Sequence, residues 1–369
     1  MTKPDSIKQL MLKKFFNIVV SLFAAGTASA DTIPLKVLFI GNSYTHMHNM
    51  PKMFGKIAKD AGMDVIVEKS AKSGASFHEH SERTDMFEAI KKRKWDYVIL
   101  QGYSRELSFS PEYIDTATVP FVSKITDAIY ENNACANVLF YMTWGYEDGF
   151  NEREEVNSYL KMADSIERGY SYLGKIYDLP VVPVGMVWKE IKNNTSIDLY
   201  ADDRAHPSKS GSYLIANTFF ESIFGVQPNE DLSIVEEHEA LVIKTAVSDV
   251  LDGKKSLYNL DRNAIAIDTQ IVENATNGTQ YRVDYEAKFQ KATSIKWLFD
   301  DGATSTEFSG HHIFKDDGLH HATIHVTDEC GTTKIYDYRI MFTAVDNRRR
   351  RRREEREARK KARQDKRNN

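Results

Sequence analysis

Three short apolar runs, Leu35–Ile40, Tyr97–Leu100 and Asn137–Met142, constrain the chain most, because each is too short for a buried helix and stretches with helical periodicity follow the first and the third. Val65–Glu68 and Pro180–Val184 read as further strands. Met50–Ala61, Met86–Lys92, Arg153–Leu173, Ser210–Phe224 and Ser233–Leu251 read as helices, and a polar loop is expected between Val184 and Ser210. Strands that are apolar throughout and alternate with helices predict a parallel sheet covered on both faces, in a three-layer, flavodoxin-like α/β domain. Such sheets bind ligands beyond the carboxyl ends of their strands.

The grammar changes after about Asn259. Gln280–Phe289, Ser294–Phe299, His320–Thr327 and Thr333–Phe342 read as short strands. Turn signals at Asp300-Asp301-Gly302, Asp316-Asp317-Gly318 and Cys330-Gly331 separate them, which predicts a small immunoglobulin-like all-β sandwich. With 369 residues the chain has room for both domains, and we expect an α/β domain over 31–259 and a β-sandwich over 260–345.

Residues 1–30 carry the pattern of an export signal: Lys13 and Lys14, an apolar run from Phe15 to Ala25, and the small-residue ending Ala28-Ser29-Ala30. The expected destination is periplasmic or extracellular, with no transmembrane anchor left after cleavage. The two cysteines, Cys135 and Cys330, fall in different expected domains; an exported chain tolerates one bridge between them, but whether they pair stays open.

Charge is unevenly distributed. From Arg348 onward there are 13 Lys and Arg against 4 Asp and Glu, which leaves the remainder at 36 against 49, a net of −13. An acidic body argues against general nucleic-acid binding. The segment 346–369, with blocks of Arg and Glu and no apolar face, is expected to be a solvated, disordered basic tail; contact with an anionic surface is the other reading.

Two positions carry the chemistry. Ser43, in Gly41-Asn42-Ser43, follows the first strand directly, where a side chain is exposed at the sheet edge beside backbone N–H groups. His206 sits just ahead of a helix with Asp203 three residues earlier, so that a carboxylate can hold the imidazole while it takes a proton from a serine. Alone, either is also an ordinary helix cap. The pairs His46/His48 and His78/His80 lack the i, i+4 spacing of a helical metal site, and no metal or other cofactor is expected.

Together, Gly41-Asn42-Ser43 and Asp203-Arg204-Ala205-His206 resemble the opening and closing blocks of the SGNH (GDSL-like) hydrolases, over about residues 35–224. The resemblance implies a serine ester hydrolase with Ser43 as nucleophile, His206 as base and Asp203 orienting it. It also implies an oxyanion hole built from the N–H groups of Ser43 and Gly74. The family's third block carries an asparagine where this chain has Gln101-Gly102-Tyr103-Ser104; Gln101 is the candidate third donor and Ser104 the positional alternative. Trp144, Tyr146 and Tyr103 are candidates for the substrate pocket, although aromatics there are equally core.

Residues of about 268–343 resemble a PKD-type domain through Trp297–Ser305, His311–Phe314 and Ala322–Asp328, with Asp300 and Phe314 where Gly and Tyr are usual. This company implies a polysaccharide or small ester substrate, possible acetyl-group removal among the activities. The missing asparagine leaves a second reading, a catalytically silent carbohydrate-binding or surface-interaction protein.

Overall fold

The computed structural model describes residues 34–342 except 229–233, 261–262, 275–277, 290 and 332. The expected export signal (1–30) and basic tail (346–369) lie outside the described residues. No described helix is long and apolar enough to cross a membrane.

The N-terminal sheet contains β1 (Leu35–Gly41), β2 (Val65–Ala71), β3 (Tyr97–Leu100), β4 (Asn137–Tyr141) and β5 (Val181–Val182), all parallel and in the order β2-β1-β3-β4-β5. The apolar runs are unbroken because alternate residues enter two different cores. Val37, Phe39, Ile99, Leu139 and Tyr141 point into one, and Leu38, Ile40, Val98, Leu100 and Phe140 into the other.

Helices α1 (Ser43–His46), α2 (Met50–Asp60), α3 (Phe77–Ser81), α4 (Thr84–Lys91), α5 (Pro111–Ala117) and α6 (Val119–Asn132) precede β4. They are followed by α7 (Tyr159–Tyr177), α8 (Val184–Asn194), α9 (Lys209–Phe224) and α10 (Glu237–Lys254). The first core is covered by Phe54 and Ile57 of α2 and by Leu214 and Phe219 of α9, the second by Ile125 of α6 and Ile166 of α7.

Three expectations need correction. The strand at Pro180–Val184 shortens to Val181–Val182, and the expected polar loop opens with α8, whose Val184, Val187, Trp188 and Ile191 have helical spacing and are all buried. The helix expected from Arg153 begins at Tyr159, where the Ser158 side chain accepts from Lys161 N. The helix α6 was not expected; its apolar stripe is Val122, Ile125 and Ile129.

The C-terminal domain packs two antiparallel sheets. One holds β6 (Asn263–Asn274), β7 (Gly278–Phe289) and β10 (Ser309–Phe314); the other holds β8 (Ala292–Phe299), β9 (Thr304–Ser305), β11 (Gly318–Asp328) and β12 (Thr333–Phe342). Ile295, Trp297 and Phe299 of β8 alternate inward, as do Ala322, Ile324 and Val326 of β11, and they meet Val283 and Tyr285 of β7. β6 also lay outside the sequence reading; it pairs with β7 along its whole length.

Cys135 and Cys330 are joined by a disulfide that ties the two domains together, with Cα atoms 6.2 Å apart. Beside it, Lys291 Nζ donates to Ala134 O at 2.9 Å and lies 5.4 Å from the Tyr130 ring centroid. Cys135 stands just before β4, at the amino edge of the parallel sheet, so the sandwich is anchored on the edge opposite Ser43.

Candidate active site

At the carboxyl end of β1 the chain turns at Asn42, which caps α1: its Oδ1 accepts from Tyr44 N at 3.1 Å, and its backbone O accepts from Thr45 N and His46 N. This leaves Ser43 as the first residue of a four-residue helix, with a half-buried side chain and an N–H that finds no acceptor among the described residues. Ser43 Oγ lies 2.8 Å from His206 Nε2. On the other side of the ring, His206 Nδ1 meets Asp203 Oδ2 in a short contact.

Asp203 is held by more than the imidazole. Its Oδ1 accepts from Ala205 N at 3.0 Å and from His206 N at 2.9 Å. Partial burial pushes its carboxyl up, but these N–H groups and the His206 ring outweigh burial and hold it below the usual carboxylate range. The turn is closed by Ala201 N donating to His206 O, and Arg204 inside it takes a left-handed φ of 61°. Arg204 is anchored by Glu147 at 3.1 Å and Asp148 at 2.9 Å.

Trp144 supports the same turn from below. It was a pocket candidate, but it is fully buried, stacked between Tyr44 at 4.3 Å and Trp188 at 4.0 Å, and its Nε1 donates to Ala205 O at 3.1 Å. Both faces are covered, so no substrate ring can stack on it. Tyr44 in turn presents its ring to the edge of His206 at 5.3 Å.

Gln101 also needs correction as an oxyanion donor. It is fully buried, its Oε1 accepts from Asn42 N at 2.9 Å and Thr45 Oγ1 at 2.8 Å, and its Nε2 is turned to Gly102 O. The amide therefore braces the Ser43 turn from inside. Ser104, the positional alternative, shares a 2.7 Å hydrogen bond with the Tyr146 hydroxyl. Tyr146 and Tyr103 are half-buried on this rim.

Gly74 lies on the loop after β2 with φ +74°, a conformation that favours glycine, and its N–H finds no acceptor among the described residues. The loop is held against the serine turn by Lys72 N donating to Gly41 O and by Asn42 Nδ2 donating to Ala75 O at 3.1 Å.

Sequence reasoning missed Glu106. Its buried carboxyl accepts from Tyr103 N at 2.8 Å and from Phe77 N at 3.0 and 3.2 Å, joining the loop after β3 to the start of α3. Burial pushes it up to about 7, against the pull of those two N–H groups. A Cβ on Gly102 would stand 2.4 Å from Glu106 Oε2, so only glycine fits between them. A lone Glu in a loop carries no sequence signal of this role.

The histidine pairs are dispersed. His46 Nε2 meets Ser73 Oγ and His48 Nδ1 meets Ser212 Oγ, both at 2.9 Å, while His78 packs on Phe121. His80 is buried beside Arg83, and burial lowers it to about 4. Glu79 is occupied in the capping box of α3.

Residues 265–340 match the family model of the PKD domain. The C-terminal sandwich is a PKD domain. No curated protein matches the chain. Among solved structures, a DUF4886-family protein from Bacteroides uniformis is 17% identical, with a TM-score of 0.53, covering 59% of this chain and 95% of that one. The N-terminal domain shares its fold. Structural neighbours over the same part also include a protein from Parabacteroides merdae described as a GDSL-like lipase, at 15% identity and TM-score 0.40, covering 51% of this chain and 94% of that one. An acetyl xylan esterase variant from Geobacillus stearothermophilus is likewise 15% identical, with TM-score 0.36 and coverages of 51% and 93%. The chain is thus a parallel-sheet α/β domain with the fold of that DUF4886-family protein, followed by a PKD domain.

Proposed function

We infer that the chain is an exported serine esterase in which Ser43 attacks an ester carbonyl, His206 takes the serine proton and passes it to the leaving alcohol, and Asp203 fixes the imidazole. The observation that carries this reading is the unbroken relay from Ser43 Oγ through both ring nitrogens of His206 to Asp203. The unpaired N–H groups of Ser43 and Gly74 are suited to receive the oxyanion. With Gln101 turned inward, the reading gives the third donor to the Ser104–Tyr146 hydroxyl pair on the same rim. Water then attacks the acyl-serine with His206 as base, returning the proton to Ser43 and releasing the acid.

The substrate reading is a short acyl ester, with acetyl on a carbohydrate as the leading case. That choice is supported by the PKD domain and by the neighbours' company rather than by any residue of the site. The test is hydrolysis of short-chain acyl esters and acetylated sugars by residues 31–342, together with labelling by a fluorophosphonate. We expect both to be lost in Ser43→Ala, and hydrolysis to be lost in His206→Ala. The inward turn of Gln101 favours the silent-module reading as the second one. Polysaccharide binding that survives Ser43→Ala, with no hydrolysis and no labelling of the intact protein, decides for it.

A further inference from the structure

The loop after β3 leaves the sheet next to Ser43, because β1 and β3 are paired neighbours and Asn42 Nδ2 holds Gly102 O at 3.0 Å. Three residues on, the Arg105 guanidinium lies 3.7 Å from the Phe150 ring centroid and 5.4 Å from that of Tyr103. It makes no hydrogen bond or ion pair with any described residue. Its neighbours on the rim differ: Arg204 is held by Glu147 and Asp148, Lys192 by Glu147, and Arg153 by the carbonyl and hydroxyl of Ser108. Arg105 is half-buried, so its charge has lost part of its water without receiving an acceptor.

We propose that Arg105 recognises a single carboxylate on the substrate, beside the ester that Ser43 attacks; this rests on the esterase reading above. The ring contacts engage the face of the guanidinium and limit its rotamers, while the N–H groups at its edge stay free for a bidentate acceptor. A single unpaired cation suits a monoanion better than a phosphate dianion. The net charge of −13 outside the basic tail opposes a long polyanion, so recognition is of one carboxylate at contact range. The carboxylate belongs either to the acyl half, as in a hemisuccinate, or to the alcohol half, as in an acetylated uronic acid.

Two matched pairs separate these sources: a nitrophenyl hemisuccinate against the butyrate, and acetylated glucuronate against acetylated glucose. The readout is the charged-to-neutral ratio of kcat/KM in the wild type, Arg105→Gln and Arg105→Lys, with thermal melts to establish folding. We expect a ratio of about 10 or more in one pair, falling to about 1 in Arg105→Gln and lying between in Arg105→Lys. A wild-type ratio at or below one in both pairs overturns the proposal, as does a preference that persists in Arg105→Gln. If no ester is turned over, the esterase reading fails separately. Calorimetric binding of succinate and glucuronate to Ser43→Ala, with and without Arg105→Gln, then decides: Arg105-dependent binding sustains the carboxylate site, and no binding overturns it.

Discussion

Asn42 Nδ2 donates to Gly102 O at 3.0 Å across 60 positions of sequence, and the same NH2 group donates to Ala75 O, so one buried amide holds three loops in register. These loops carry Ser43, Gly74 and the Tyr103-Ser104 rim. The spatial order of β2, β1 and β3 makes this possible, since the strand that leads into Ser43 lies between the other two.

Truncating this amide is therefore expected to cost both stability and rate. Asn42→Ala leaves the Ala75 carbonyl and the Tyr44 N–H without their partner, each costing about 1–3 kcal/mol, and leaves Gly102 O to Gln101 Nε2 alone. Thermal unfolding is expected to fall by several degrees, roughly 2–4 °C per kcal/mol for a domain of this size. Steady-state kinetics should show the loss mainly in kcat, because the Ser43 and Gly74 N–H groups move apart. A variant with wild-type kcat would show that the amide is not what aligns them.

Asp203→Asn tests the relay without removing a side chain. The asparagine can present its NH2 to His206 Nδ1, which favours the tautomer with the proton on Nε2 and leaves that nitrogen unable to accept from Ser43. A fall in kcat on the order of 10³–10⁴ is expected, with melting temperature nearly unchanged. A loss below tenfold would mean that Asp203 does not set the tautomer.

The meeting of Ser43, His206 and Asp203 was legible where residue type and strand position coincided: Ser43 after an apolar strand, and His206 three residues beyond Asp203. The sheet was legible for the same reason, since Leu38 and Phe39 are both buried, in different cores. What sequence could not reveal was the direction of a side chain. Gln101 and Trp144 stand on the proper loops, yet one turns under Asn42 and the other is enclosed by Tyr44 and Trp188. Glu106 and the Cys135–Cys330 pairing depend on contacts between distant segments, which no local pattern encodes.

Two buried carboxyls make stability depend on pH. Burial pushes Glu106 and Glu221 each up to about 7; Glu221 is relieved in part by the Ser248 hydroxyl. Their folded values exceed the unfolded value, so the native state binds more protons between about pH 4.5 and 7, and this contribution to stability is lost as pH rises through that window. Glu221→Gln is expected to be the more stable protein at pH 8, by on the order of 1–3 kcal/mol, and to match the wild type near pH 4. Urea unfolding at both pH values checks this; a stability gap that is the same at pH 4 and pH 8 would exclude titration of Glu221 as its cause.

The disulfide bears on stability but not on the reaction, because it lies at the amino edge of the sheet and Ser43 at the carboxyl edge. It closes a loop of 195 residues, for which chain-entropy reasoning gives up to about 5 kcal/mol. Beside it, Lys291 supplies a polar link between the two domains. Cys330→Ser is therefore expected to lower the melting of the PKD domain and to separate it from that of the α/β domain, while kcat and KM on a small ester stay at wild-type values. Differential scanning calorimetry with and without reductant, alongside ester kinetics, measures both. Coincident melting after reduction would mean that the noncovalent interface alone couples the domains, and a fall in kcat would mean that loss of the disulfide is felt through β4 and Trp144 at the turn bearing His206.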